Sequence, residues 1–137
     1  MRKIDTIETA AQAAALFRAA LPKTQKEERV FVLPLGANGK ALAKPILVST
    51  GHEDGTAAID AGAVFREALK AGAEEIIVAH NHPSGDLTPS NADLESTEKL
   101  RQGAELVGLG FLDHLILDTV AHKRGMDFVS LAEMTGI

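Results

Sequence analysis

The stretch IIVAHNHPSGDLTPSNAD, residues Ile76 to Asp93, reads as a strand, a turn and the start of a helix. Its apolar run ends in two histidines separated by one residue. Alternate residues of a strand share a face, so His80 and His82 project together while Asn81 points away. Pro83, Ser84 and Gly85 end the strand and turn the chain. Pro89-Ser90 then opens a helix with Ser90 as N-cap, and Asp93 falls at its third position. Ser90-x-x-Asp93 has the spacing of a capping box. Asp93 also begins a stripe with Thr97, Leu100, Ala104 and Val107, which is largely apolar and should face a sheet. An inward carboxylate needs a partner, because an unpaired buried charge is costly.

Outward from this stretch, elements of both kinds alternate. Asp5 and Glu8 are spaced like a capping box before an alanine-rich amphipathic pattern that Pro22 stops, which predicts a first helix. RVFVLPLG and KALAKPILVST flank Ala-Asn-Gly, a strong hairpin signal. Pro34 and Pro45 should sit at edges or bulges, since proline cannot donate to a ladder. AAIDAGAVFREALKAG predicts a second helix stopped at Gly72, SNADLESTEKLRQGAELVG a third, and GFLDHLILD a strand. In that strand alternation places His114 with Leu112 and Ile116, and Asp113 on the other face. MDFVSLAEM adds a short strand or a helical turn. The pattern predicts an α/β or α+β layer fold.

The chain has 137 residues and is 45% hydrophobic, enough for one domain, residues 1–137, with a real core. Its formal net charge of −5 argues against a nucleic-acid binder that works by bulk charge. With no cysteine, disulfides and thiolate zinc sites are excluded, and any metal must be held by His, Asp or Glu. No run is apolar for the roughly 18 residues that a membrane span needs, and the N-terminus does not read as a signal peptide. A cytoplasmic location without membrane partners is expected.

Two imidazoles on one strand face, with an inward aspartate nearby, form a set that can reach one zinc ion. Two His and one Asp leave a fourth position open, as in catalytic rather than structural sites. His-x-His alone is more often a hydrogen-bonded pair at a strand end; the capped helix and its aspartate shift the balance.

His80-x-His82, Ser90 and Asp93 together match the JAMM motif of JAB/MPN metalloproteases. AHNHPSGDLTPSNAD resembles the RadC group of bacterial JAB-domain proteins, and LGFLDHLIL is similar to that group's Asp-His segment. The resemblance spans roughly residues 28–117. It implies a JAB/MPN (cytidine-deaminase-like) layered α/β fold, with a mixed sheet flanked by helices. It also implies Zn2+ held by His80, His82 and Asp93, a glutamate that handles the water proton, and Ser90 supporting the oxyanion. Aligned on the resemblance, that glutamate is Glu28. The residues alone leave Glu27, Glu53, Glu67, Glu74 and Glu75 open. His114 is expected to support the site rather than ligate, and Asn81 and Ser84 to shape it at most. His52 and His122 receive no role.

This chain departs from the group in two places. AGAVFREAL stands where a Pro-Arg-Glu element often opens the second helix, and Gly36 stands where an aspartate commonly ends the early strand. Neither touches the expected ligands. The helix-hairpin-helix region that often precedes this domain has no room in the chain, which weakens direct DNA binding. The resemblance implies a zinc-dependent metallohydrolase, a peptidase or isopeptidase acting on a peptide or protein substrate. A non-proteolytic DNA-repair or mobile-element accessory protein that keeps the metal fold, or a metal-dependent nuclease, stands as the alternative.

Overall fold

The computed structural model describes residues 6–21, 27–50, 59–118 and 128–136. Helix α1 (Ala10–Ala20) precedes strand β1 (Arg29–Leu35), a 3-10 turn and β2 (Ile46–Thr50). Helix α2 (Ala61–Lys70), β3 (Glu75–His82), α3 (Asn91–Val107) and β4 (Gly110–Asp118) follow, then β5 (Phe128–Ser130) and α4 (Leu131–Thr135). The strands form one mixed sheet in the order β2-β1-β3-β4-β5. Only β3 and β4 pair in parallel, with α3 as the crossover between them. The fold is α/β, and β3 lies at its centre.

Both faces of the sheet are covered. On one, Phe17 of α1 packs with Phe31, Leu33, Ile77, Leu115 and Leu117. On the other, Val64 of α2 and Leu100 of α3 pack with Val30, Val32, Ile76 and Val78. Strands covered on both sides read as continuous apolar runs, which is why RVFVLPL and EIIVA lack polar alternation. Helices α2 and α3 approach closely at Gly103, where a Cβ would collide with the Phe65 ring.

The hairpin forms around Ala37–Gly39, with Asn38 and Gly39 at φ 63° and 77°, the left-handed region that Asn and Gly tolerate. Pro34 is not at an edge. It is buried in β1, opposite Ile76 of β3. Its carbonyl accepts from Leu42 on the far side, past the last β2 pair, Val32 with Ile46. Since N and C=O of one strand residue face the same way, the missing donor falls where regular pairing has ended.

Other boundaries also differ from the sequence pattern. The capping box of α1 is Thr9 with Gln12, not Asp5 with Glu8. The Ile7 N–H bonds the Gly39 carbonyl and Thr6 bridges Lys40, so the chain is extended there and the helix starts later; Asp5 lies outside the described residues. Val107 ends the α3 stripe exposed, while Asp93, Thr97, Leu100 and Ala104 are buried. In β4 the register slips, so that Ile76 pairs with Phe111 but Ile77 with Asp113. The extra residue, Leu112, is exposed, and Phe111 rather than Leu112 shares the face of His114. The segment after residue 127 is both a short strand and a helical turn. His52, Glu53 and His122 lie outside the described residues.

Candidate metal centre

Strand β3 carries its apolar alternation straight into the site. Ile76 and Val78 face α2 and α3, so His80 and His82, two and four residues after Val78, face the same way. Helix α3 then brings Asp93 over them. Ser90 caps that helix by accepting the Asp93 N–H at 3.0 Å, and its own N–H donates to Asp93 Oδ2 at 2.9 Å. The capping box and the inward carboxylate are therefore one structure: the cap fixes the rotamer that presents Asp93 to the histidines.

The three side chains converge. His80 Nε2 lies 3.1 Å from His82 Nε2 and 3.1 Å from Asp93 Oδ1. His82 Nε2 lies 3.1 Å from Asp93 Oδ2. Among the described residues, these three form the group able to hold a metal ion, with ligand atoms within 4.8 Å of one another. Glu28 approaches from the residue just before β1, its Oε1 3.7 Å from His80 Nε2, and it is 5% exposed. Glu27 is exposed, Glu67 pairs with Lys70 on α2, and Glu74 and Glu75 lie at the opposite end of β3. Of the candidate glutamates that are described, Glu28 is the one brought to the histidines.

Hydrogen bonds behind the rings fix which nitrogens carry protons. The Thr97 hydroxyl donates to the Asp93 carbonyl at 2.9 Å, which uses its only proton. His114 Nδ1, 2.7 Å from Thr97 Oγ1, must then donate to it. Burial drives the His114 ring well below the ordinary imidazole value, so it is neutral and its Nε2 accepts. His80 Nδ1, 2.8 Å away, therefore donates to it, which leaves a lone pair on His80 Nε2. His82 Nδ1 donates to the Asp86 carbonyl at 2.7 Å, which leaves a lone pair on its Nε2 as well. Ligating histidines are oriented in this way, through the ring nitrogen that does not ligate.

The outcome is three acceptors, two imine nitrogens and a carboxylate, packed with no donor between them. Either a ring takes up a proton or a cation fills the gap. The titration tendencies follow that demand. Burial disfavours charge on His82, yet the Asp93 carboxylate and the Asp86 carbonyl raise it above its ordinary value. Burial also opposes ionisation of Asp93, but the two histidines hold its carboxyl well below the usual range. Burial lifts the Glu28 carboxyl, and the nearby histidines only partly offset that rise. A tetrahedral ion with Zn–N bonds near 2.0–2.1 Å would place its ligand atoms about 3.3 Å apart. The 3.1 Å separation of His80 Nε2 and His82 Nε2 lies near that edge, and Asp93 presents one oxygen to each ring.

Thr97 and Asn81 were undervalued in the sequence. Thr97 is a hydroxyl on a buried helical stripe, and a buried polar group needs a partner. Asn81 does point away from the histidines, but it is fully buried and binds the backbone on both sides of Glu28.

A mixed sheet between helices, with two histidines ending its central strand and an aspartate on the next helix, defines an α/β domain with a candidate metal centre. The chain belongs to the RadC-like JAB domain family, whose model matches residues 7–136. It is 41% identical over 93 residues to a UPF0758 protein of Carboxydothermus hydrogenoformans, covering 68% of this chain and 40% of that protein. A UPF0758 protein of Acaryochloris marina is 40% identical over 135 residues, 98% of this chain and 52% of its own length. One from Finegoldia magna is 39% identical over 104 residues, 74% and 46% respectively. The chain thus spans about half the length of these relatives, or less. Among the described residues, no helix is long and apolar enough to cross a membrane.

Proposed function

We propose that this domain is a zinc-dependent metallohydrolase that cleaves peptide or isopeptide bonds. The observation that carries this reading is the convergence of His80, His82 and Asp93 as three acceptors, with the buried Glu28 carboxyl beside them. His80, His82 and Asp93 would hold the ion, and their set leaves a position open. Zinc, when bound, supplies a Lewis acid that polarises the scissile carbonyl and acidifies water.

The protein's own groups do the rest. Glu28 takes the proton of the attacking water at its carboxylate and returns it to the leaving amine as the C–N bond breaks. A carboxyl whose basicity is raised by burial suits that exchange better than an exposed one. Ser90 Oγ accepts the Asp93 N–H, so its own O–H stays available, and the residue is exposed where it can donate to the developing oxyanion. The His114–Thr97 relay holds His80 in its ligating tautomer.

The test is digestion of a peptide library that includes ε-lysyl isopeptides by the zinc-loaded protein, read by mass spectrometry beside Glu28→Gln. Cleavage by the wild type, lost in the variant with zinc retained, supports the reading. A wild type that leaves the library intact but cuts DNA would replace it with the nuclease. One that cuts neither would favour the non-proteolytic accessory role.

A further inference from the structure

We infer that Asn81 is the positioning residue for Glu28, so that one strand sets both the metal ligands and the acid that works beside them. This rests on the reading of Glu28 proposed above. The ladder between β1 and β3 runs from Leu35 with Glu75 to Val30 with His80, and stops there. Beyond it, the backbone at Glu28 would have no strand partner on β3. The Asn81 side chain takes that place. Its Oδ1 accepts the Arg29 N–H at 2.7 Å, and its Nδ2 donates to the Glu27 carbonyl at 3.0 Å.

Those two groups belong to the peptide units on either side of the Glu28 Cα. Fixing both planes fixes φ and ψ at Glu28, and hence the direction in which its side chain leaves the backbone. One amide thus straddles Glu28 much as a residue of a neighbouring strand would. The primary amide suits this task because it carries a donor and an acceptor side by side. Asn81 is fully buried, so neither bond competes with water. Its neighbours in sequence are His80 and His82, and a displacement of β3 would carry ligands and acid together. Glu28 itself sits one residue before β1. Without the amide, the backbone around Glu28 keeps its pairing on the β2 side, at Arg29 with Thr50, but loses its tie to β3, and the carboxyl loses the strand that holds it 3.7 Å from His80 Nε2.

Asn81→Ala removes both bonds, and Asn81→Asp keeps the acceptor for Arg29 but loses the donor to Glu27. Two measurements need no turnover. The first is amide hydrogen exchange at Arg29. The second is the response of the Glu28 side-chain carboxyl resonance, by carbon-detected NMR, as zinc is added to metal-free protein. In the wild type the Arg29 amide should be protected and the Glu28 carboxyl should respond to zinc. In Asn81→Ala protection should fall at least tenfold and the Glu28 response should shrink, while the His80 and His82 resonances still respond and one zinc is still bound. Asn81→Asp should keep Arg29 protection but lose part of the Glu28 response, and it serves alone if Asn81→Ala does not fold. If the wild type also hydrolyses peptides, Asn81→Ala should lower kcat by up to about 10²-fold, with KM retained, as expected for a misplaced catalytic group. A Glu28 response to zinc that is undiminished in both folded variants overturns the inference. A wild type that binds zinc but cleaves no peptide overturns the proposed reaction instead, and leaves the exchange and NMR results to decide the role of Asn81.

Discussion

Two buried carboxylates, Asp113 of β4 and Asp93 of α3, sit on opposite faces of this sheet, and their surroundings are opposite in kind. Asp113 is ringed by donors. Its Oδ2 accepts the Ser130 hydroxyl at 2.6 Å, and its Oδ1 accepts the N–H groups of His114 at 2.7 Å and Ala132 at 3.0 Å. Its acceptors are satisfied, and the result is a staple that ties β5 and the start of α4 to β4. Asp93 also accepts one backbone N–H, from Ser90, but its two oxygens face the imine nitrogens of rings whose protons, on Nδ1, are committed elsewhere. Both residues are about equally buried, at 8% exposure. Burial therefore does not distinguish a structural acid from a candidate metal ligand. The balance of donors and acceptors around it does.

The largest expected effect lies on the acceptor-rich side. Glu28→Gln should keep the fold and the zinc yet lower hydrolysis by about 10²–10⁴-fold, the usual worth of general acid–base catalysis. Glu27→Gln should be near normal, because its side chain is exposed. Collapse in Glu27→Gln with normal turnover in Glu28→Gln would show that the register at the start of β1 is misread.

The second contrast is in stability. Asp113→Ala strands several donors and should destabilise the domain by about 3 kcal/mol in urea melts, equally with and without zinc. His82→Ala should fold without metal, since the two apolar clusters do not depend on the site. It should lose the stabilisation that zinc gives the wild type, about 2.7 kcal/mol at a hundred times the dissociation constant. Unfolding of metal-free His82→Ala by circular dichroism would show that this side of the sheet is a staple as well.

A smaller effect tests the neutral relay behind His80. An unfolded histidine titrates near about 6.5, and burial holds folded His114 well below that. Below pH 6.5 the unfolded chain therefore binds more protons at this residue, and stability falls with pH. His82, raised in the fold, contributes with the opposite sign, so the comparison must be made against a variant. Between pH 6.5 and 5.5, metal-free wild type should lose stability more steeply than His114→Gln, by up to about 1.4 kcal/mol per pH unit. Equal slopes would mean that His114 is charged in the fold.

Much of the site could be read from local periodicity. A period of two places His80 with His82, and helical phase places Asp93, Thr97, Leu100 and Ala104 inward. What was not legible is long-range or depends on register. The slip at Leu112 changes which residues share the face of His114, and nothing in GFLDHLILD marks it. The geometry of Glu28 depends on β1 pairing with β3 across about fifty residues of sequence, and on Asn81 taking over where that ladder ends. The spacing of Asp5 and Glu8 misplaced the start of α1, because a tertiary bridge at Thr6 and Ile7 keeps the chain extended up to the Thr9 cap. Pro34 read as an edge signal because it lacks a donor; an interior strand tolerates it because the neighbour on its imide side ends early, and sequence does not show where a neighbour stops.

The most direct test of the central claim is isothermal titration of zinc into chelator-stripped protein at pH 7.5, for the wild type, Asp93→Asn and Asp113→Asn. If the acceptor-rich cluster is a metal site and the donor-ringed carboxylate a staple, the wild type and Asp113→Asn each bind one zinc per chain with similar affinity, and Asp93→Asn loses that binding. Undiminished binding by Asp93→Asn, or none by the folded wild type, would contradict the account.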